Sequence, residues 1–271
     1  MAGYDARSDK WTTRGVEVTG RLVGLLHGPA SITLVRHGQS LGNLADAEAR
    51  RQESDRLDLK QRDADVELSD TGQSQADALR AHLESLSEDE RPTVVVSSPY
   101  ARAAGTAQVA LASYDVEILL DERLRERDLG QFDGLTGKGI RHLHADEAER
   151  RTEVGKFYYQ PPGGESWADV VLRVRSLLAD LRHGFDDERV WMFSHQAVIM
   201  AFRYVLEGIS EAELLEIDRE SPIPNCSLTR YDLTPDGPRL LEFAATTALD
   251  RQETEVTEEP SAADHTVASH D

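Results

Sequence analysis

Arg36 and His37 stand side by side at the end of a short apolar run, residues 31–35, and are followed by Gly38, Gln39 and Ser40. Neutral imidazole is a good nucleophile toward phosphorus once it is oriented and the charge on its target is neutralised. Arginine suits the second task, because its planar fork matches two phosphate oxygens and stays charged. The glycine lets the backbone turn without a Cβ, and the N–H groups of such a turn can line an anion-binding concavity. Polar residues end two further apolar runs: Ser97 and Ser98 follow TVVV, and Ser194 and His195 follow RVWMF. Each residue taken singly has a plainer reading. A lone histidine is usually structural, a lone Arg102 is a helix surface charge, and Glu126 sits among the acids Asp121, Glu122 and Asp128. His142 and His144 have no carboxylate or cysteine pattern around them and are not read as metal ligands.

The spacing of apolar residues supplies elements to position these groups. Residues 31–35, 93–97, 116–120 and 189–193 read as strands. Residues 68–86, 100–112, 166–183 and 197–206 read as helices, with Ser69 as one N-cap and Ser166 with Asp169 as a capping box. One helix is expected within the charged stretch 121–164, near 139–150, and two runs at 226–233 and 239–243 suggest a hairpin or adjacent strands. Alternation of strand and helix predicts an α/β fold, a three-layer α/β/α sandwich with a mostly parallel sheet. Sites in such sheets form beyond the carboxyl ends of strands, where the polar residues above are found.

With those residues assembled, the chain resembles the histidine phosphatase superfamily, the phosphoglycerate mutase-like proteins. The family's L-V-R-H-G-Q/E-S/T-x-x-N reads LVRHGQSLGN over 34–43, and L-S/T-x-x-G-x-x-Q-A reads LSDTGQSQA over 68–76. SSPYARAAGTA at 97–107, LRERDLGQFDG at 124–134, GES at 164–166 and SH at 194–195 follow in the family's order. The resemblance implies a phosphoglycerate mutase-like fold and a metal-independent phosphoric monoester hydrolase of the histidine acid phosphatase type, with no cofactor. In that reading His37 becomes phosphohistidine, Arg36, Arg102 and His195 hold the phosphoryl oxygens, and Glu126 protonates the leaving oxygen. Gln39, Ser40, Asn43, Gln196 and Arg127 are expected to bind substrate. The alternatives are a mutase-type phosphotransferase and a catalytically silent binding module of the same fold.

The C-terminal half is similar to the bisphosphatase domain of the bifunctional fructose-2,6-bisphosphate enzymes, in FSHQAV at 193–198 and in Tyr158 and Tyr159 ahead of GES. It departs where that domain carries basic residues: Gln160, Gly163 and Met200 stand there. Lys138, Lys156, Arg127 and Arg203 are the candidate cations for any second anionic group.

A formal net charge of −20 argues against nucleic acid and anionic membranes as partners, leaving a small phosphorylated metabolite and, in a homodimer, a second copy of the chain. The single cysteine, Cys226, and the absence of a membrane-length apolar run suggest a cytoplasmic protein. Residues 1–28 are expected to be a flexible segment, 29–248 the histidine phosphatase domain and 249–271 an acidic disordered tail. From Asp250 onward there are seven acids and one base and no apolar periodicity.

Overall fold

A computed structural model describes residues 28–259, together with short strand segments at 3–5, 10–13 and 16–17. Those segments, β1 (Gly3–Asp5), β2 (Lys10–Thr13) and β3 (Val16–Glu17), pair antiparallel in chain order. The rest of the expected flexible N-terminal segment, and residues 260–271 of the expected tail, lie outside the described residues.

The main sheet is built on β4 (Ser31–Arg36), β5 (Val94–Ser97), β6 (Ile118–Leu120), β7 (Arg189–Ser194), β8 (Leu228–Thr234) and β9 (Gly237–Ala245). Its order is β6-β5-β7-β4-β8-β9, parallel from β6 through β4 and antiparallel for β8 and β9. The mostly parallel α/β arrangement expected from the sequence is therefore present, and the two late apolar runs form a hairpin.

Alternation along the central strands decides which helix packs where. Ile32 and Leu34 of β4, with Val190 and Met192 of β7, face α6 (Trp167–Leu181) and α7 (Gln196–Glu207). Val35, Trp191 and Phe193 point the other way, onto α2 (Asp70–Ser85) and α3 (Ala101–Ala110). Both faces of the strands are covered, which is why they read as continuous apolar runs rather than as alternating ones. Truncating one of these fully buried side chains, such as Leu34, should cost about 2–5 kcal/mol.

Helix starts follow the sequence signals closely. Ser69 caps α2 through Gly72 N–H, and Ser166 and Asp169 form the reciprocal box at α6. The charged stretch holds two helices, α4 (Gly137–Leu143) and α5 (Ala145–Val154), where one was expected. His144 breaks the run at φ −139°. Two other helices were not foreseen: α1 (Leu41–Arg51), whose only buried residue is Ala49, and α8 (Glu211–Glu220), which buries Leu214 and Asp218. Each carries only a few large apolar residues, Leu41 and Leu44 in α1 and Leu214, Leu215 and Ile217 in α8.

The disordered tail expected from residue 249 needs correction over 249–259. Leu249 is fully buried against Ala78 and Cys226, at the end of α9 (Thr247–Asp250). The segment beyond it is held by side chains from α2 and from the loop before β8. Composition indicated too little apolar surface to bury, but Leu249 and a set of hydrogen bonds suffice. Among the described residues no helix is long and apolar enough to cross a membrane.

Candidate active site

Arg36 ends β4 and His37 follows it, so both side chains leave the carboxyl edge of the sheet beside β7. Arg36 is 1% exposed. Its Nη1 donates to Ile223 O, its Nη2 meets Glu259 Oε2 at 2.5 Å, and its Nε has no protein partner. His37 Nδ1 lies 2.7 Å from Gly38 O, and a carbonyl can only accept, so Nδ1 carries the proton. Nε2 is thereby left with its lone pair. Burial first, then Arg102 and Arg36, hold His37 well below the ordinary imidazole range.

Gly38 and Gly72 explain why the loop is built as it is. A Cβ on Gly38 would lie 2.6 Å from Gly72 O, and one on Gly72 would lie 1.9 Å from Gln39 O. The loop after β4 and the first turn of α2 touch backbone to backbone, so glycine is needed here for room. The turn's N–H groups do not form the anion cradle expected from sequence. They are already bonded, His37 N–H to Ser194 O, Gly38 N–H to Thr106 Oγ1 and Gln39 N–H to Gln75 Oε1. An anion entering here would have to be met by side chains.

His195 follows β7 as the N-cap of α7, fully buried, with its ring centroid 5.1 Å from that of His37. Its Nε2 lies 2.8 Å from Ser98 Oγ, which itself accepts Tyr100 N–H. With the serine proton turned to Nε2, the histidine proton sits on Nδ1, which is buried and has no protein partner. In that tautomer the ring beside His37 carries a donor that has no partner among the described residues. Arg102, on the first turn of α3, is oriented by Asp63, Nη1 to the carbonyl at 2.6 Å and Nη2 to Oδ2 at 3.2 Å.

Glu126 lies in the loop after β6, with Oε1 accepting Arg127 N–H at 2.8 Å. Burial above all, and then Asp63, push its carboxyl above the usual range, against the pull of Arg127 N–H and Arg102. The GES segment holds this loop in place. Glu165 takes Arg173 in a two-oxygen grip and also Arg125 and the Asp128 N–H, while Arg173 Nη2 reaches Glu126 O at 3.3 Å. Ser194 Oγ ties the same loop to β7 through Leu124 O.

Of the expected substrate contacts, Gln196 and Arg127 come together and the others divide. Gln196 Nε2 donates to Asp218 Oδ1, and Asp218 also pairs with Lys156 Nζ at 2.8 Å. Arg127 and Lys156 both stand over the Trp167 ring. Arg151, which sequence reasoning missed, joins them. Burial and mutual repulsion hold Lys156 and Arg127 below their ordinary pKa values, and burial does the same for Arg151. The other two candidate cations are elsewhere: Lys138 binds Glu53 on the surface, and Arg203 pairs with Glu207. Ser40, expected as a substrate contact, is the buried N-cap of α1, its hydroxyl accepting Asn43 N–H. Asn43 returns the bond through Oδ1 to Ser40 N–H, so only its amide nitrogen remains available. Gln39 is bonded to Ser69 Oγ and lines an open cleft of about 450 Å³ with Leu41, Leu44 and Leu68.

Asn225 and Cys226 were also missed. Asn225 Nδ2 donates to His37 O at 2.9 Å and Cys226 N–H to Arg36 O at 3.0 Å, clamping the Arg36–His37 turn from the loop before β8. No local pattern in PNCS distinguishes it from any turn. Asp63 likewise carries no signal.

A family model described as the histidine phosphatase superfamily (branch 1) matches residues 32–246. The chain is 32% identical over 232 residues to a 6-phosphofructo-2-kinase/fructose-2,6-bisphosphatase of Caenorhabditis elegans, covering 85% of this chain and 44% of that protein. A 2,3-bisphosphoglycerate-dependent phosphoglycerate mutase of Methylobacterium sp. is 28% identical over 221 residues, 78% of this chain and 97% of its own. The chain spans less than half the length of the first curated relatives it matches. Among solved structures, mycobacterial glucosyl-3-phosphoglycerate phosphatase in complex with VO3 has a TM-score of 0.64 at 28% identity, over 80% of this chain and 100% of that one.

Proposed function

Because the chain belongs to the histidine phosphatase superfamily (branch 1), we propose that it hydrolyses a small phosphomonoester carrying a second anionic group, through phosphohistidine at Nε2 of His37. The observation that carries the reading is the His37 ring itself, protonated at Nδ1 toward Gly38 O and buried between two arginines with a free lone pair at Nε2.

Nε2 attacks phosphorus, the N–P bond forms and the bond to the leaving oxygen breaks. Arg36, Arg102 and the Nδ1 proton of His195 balance the charge on the three remaining oxygens, which is most of what phosphoryl transfer asks of a protein. Glu126, whose carboxyl burial raises above its usual range, gives its proton in its protonated form to the leaving alkoxide. In the second half the same carboxylate takes a proton from water as its oxygen attacks phosphorus. The N–P bond breaks, His37 is neutral again and inorganic phosphate leaves.

The second anionic group is supported by the cluster beside Glu126. Lys156 pairs with Asp218, and Arg127 and Arg151 lie within electrostatic reach of the same carboxylate, with Glu126 and Glu165 also near Arg127, in an otherwise acidic protein. Each of these cations sits below its ordinary pKa, and an incoming anion relieves that crowding. A panel of sugar phosphates and phosphorylated acids, each matched with a neutral counterpart lacking the second anion, tests the reading. Anionic members should be preferred through KM, and the preference should shrink in Arg151→Gln. Equal efficiency across each pair would remove the second group from the proposal and leave the hydrolysis.

A further inference from the structure

The chain passes back over its own site. From the buried Leu249 the backbone turns through residues 250–253, and Gln75 Nε2 then donates to Glu255 O at 2.9 Å and to Thr257 Oγ1 at 2.8 Å. Asn225 N–H donates to Thr257 O at 2.8 Å, and Thr257 Oγ1 lies 3.0 Å from Asn225 Oδ1. Two residues later Glu259 Oε2 meets Arg36 Nη2 at 2.5 Å. The Arg36 side chain is 2% exposed and the Glu259 side chain 30% exposed, so the carboxylate reaches inward from the solvent side. Gln75 and Asn225, which hold the strap, are also the side chains that hold Gln39 N–H and His37 O of the catalytic turn.

A carboxylate on a guanidinium fork imitates two oxygens of a phosphoryl group in charge and spacing. Asp46, paired with Arg50, lies close enough for Glu259 to help raise its pKa after burial has done most of it.

We propose that residues 254–259 form an autoinhibitory strap, in which the Glu259 carboxylate occupies the Arg36 edge and competes with the phosphoryl group for it. This rests on the assignment of Arg36 to phosphoryl binding made above. The strap is tethered at Thr257, so the effective concentration of its carboxylate at Arg36 is on the order of millimolar or more. Its anchors are a few partly exposed hydrogen bonds, the kind of segment that opens locally at low free energy. Substrate therefore binds only the open fraction, and its apparent affinity falls in proportion to that fraction.

The test compares the full-length chain with Glu259→Gln, which keeps the length and the backbone bonds of the strap. KM for p-nitrophenyl phosphate and the inhibition constant of inorganic phosphate should both fall, by about tenfold if the strap is closed in about nine molecules in ten, with kcat not reduced. A synthetic peptide of residues 252–262 should inhibit Glu259→Gln competitively, and the same peptide bearing Gln at 259 should inhibit it far less. An unchanged or higher KM, or a lower kcat, would overturn the strap and make Glu259 a positioning residue for Arg36. Calorimetric titration with inorganic phosphate separates the two proposals. If no phosphomonoester is turned over, yet Glu259→Gln binds phosphate more tightly than wild type, the hydrolase reading fails and the strap stands. If turnover is present and phosphate binding ignores residue 259, the strap alone fails.

Discussion

His37 and His195 stand with ring centroids 5.1 Å apart, and each commits one nitrogen to a fixed partner, Gly38 O for the first and Ser98 Oγ for the second. The commitments are opposite in kind. His37 gives its Nδ1 proton to a carbonyl and keeps a lone pair at Nε2, whereas His195, when Ser98 Oγ donates to it, receives at Nε2 and carries its proton at Nδ1. In the proposed reaction these neighbours alone make one ring the nucleophile and the other a donor.

His37→Ala should lower kcat by several orders of magnitude, because a nucleophile has no stand-in. Quenching a reaction with labelled substrate under non-acidic conditions should trap an acid-labile, base-stable phosphoprotein in wild type and none in the variant. Equal labelling of the two would move the nucleophile elsewhere.

The pH profile follows from the directions of the shifts. His37 must be neutral to attack, and its lowered pKa keeps it so well below pH 6.5. Glu126 must be protonated, and its raised pKa extends that form upward before it is lost as pH rises. With an alkyl phosphate, kcat should therefore fall along an alkaline limb that is absent in Glu126→Gln. That variant should also lose much more activity on alkyl esters than on an activated aryl ester. An unaltered limb would pass the acid's role to Glu122 or Asp128.

Stability should carry the same signature with its own sign. Both histidines are lowered in the fold, so below about pH 6.5 the unfolded chain binds protons that the folded chain refuses. Stability is then lost as pH falls, at up to about 1.4 kcal/mol per pH unit per histidine until the folded pKa is reached. Urea midpoints measured from pH 7 to 5 should drop, and His195→Gln should drop less steeply. Parallel slopes would contradict the burial-driven shift of His195.

Gly72→Ala tests the contact between α2 and the catalytic turn. The added Cβ would lie 1.9 Å from Gln39 O, backbone against backbone, so the turn itself must shift. A loss of about 1–3 kcal/mol in unfolding free energy is expected, of the size of other overpacked sites. A fall in kcat should accompany it. A crystal structure with the turn unmoved and activity intact would show that this approach is not required.

The positions of Arg36, His37 and His195 at strand ends were legible in the sequence from the apolar runs before them, while Arg102 and Glu126 were singled out only by the resemblance to the family's motifs. The sheet, whose buried strands are apolar on both faces, and the capped helices α2 and α6 were legible from local pattern too. Pairing across long sequence separations was not legible. Asp63 orienting Arg102, Asn225 clamping His37 and Arg151 joining Lys156 beside Asp218 depend on loops whose residues carry no periodicity. The helical signal was weak at α1 and α8 because each offers few large apolar side chains, Leu41 and Leu44 in the first and Leu214, Leu215 and Ile217 in the second. At the tail, one buried leucine and a carboxylate placed on Arg36 hold a segment that its composition would leave in solvent. Local chemistry and periodicity are written along the chain, while a contact between residues 223 positions apart exists only once the sheet has brought them together.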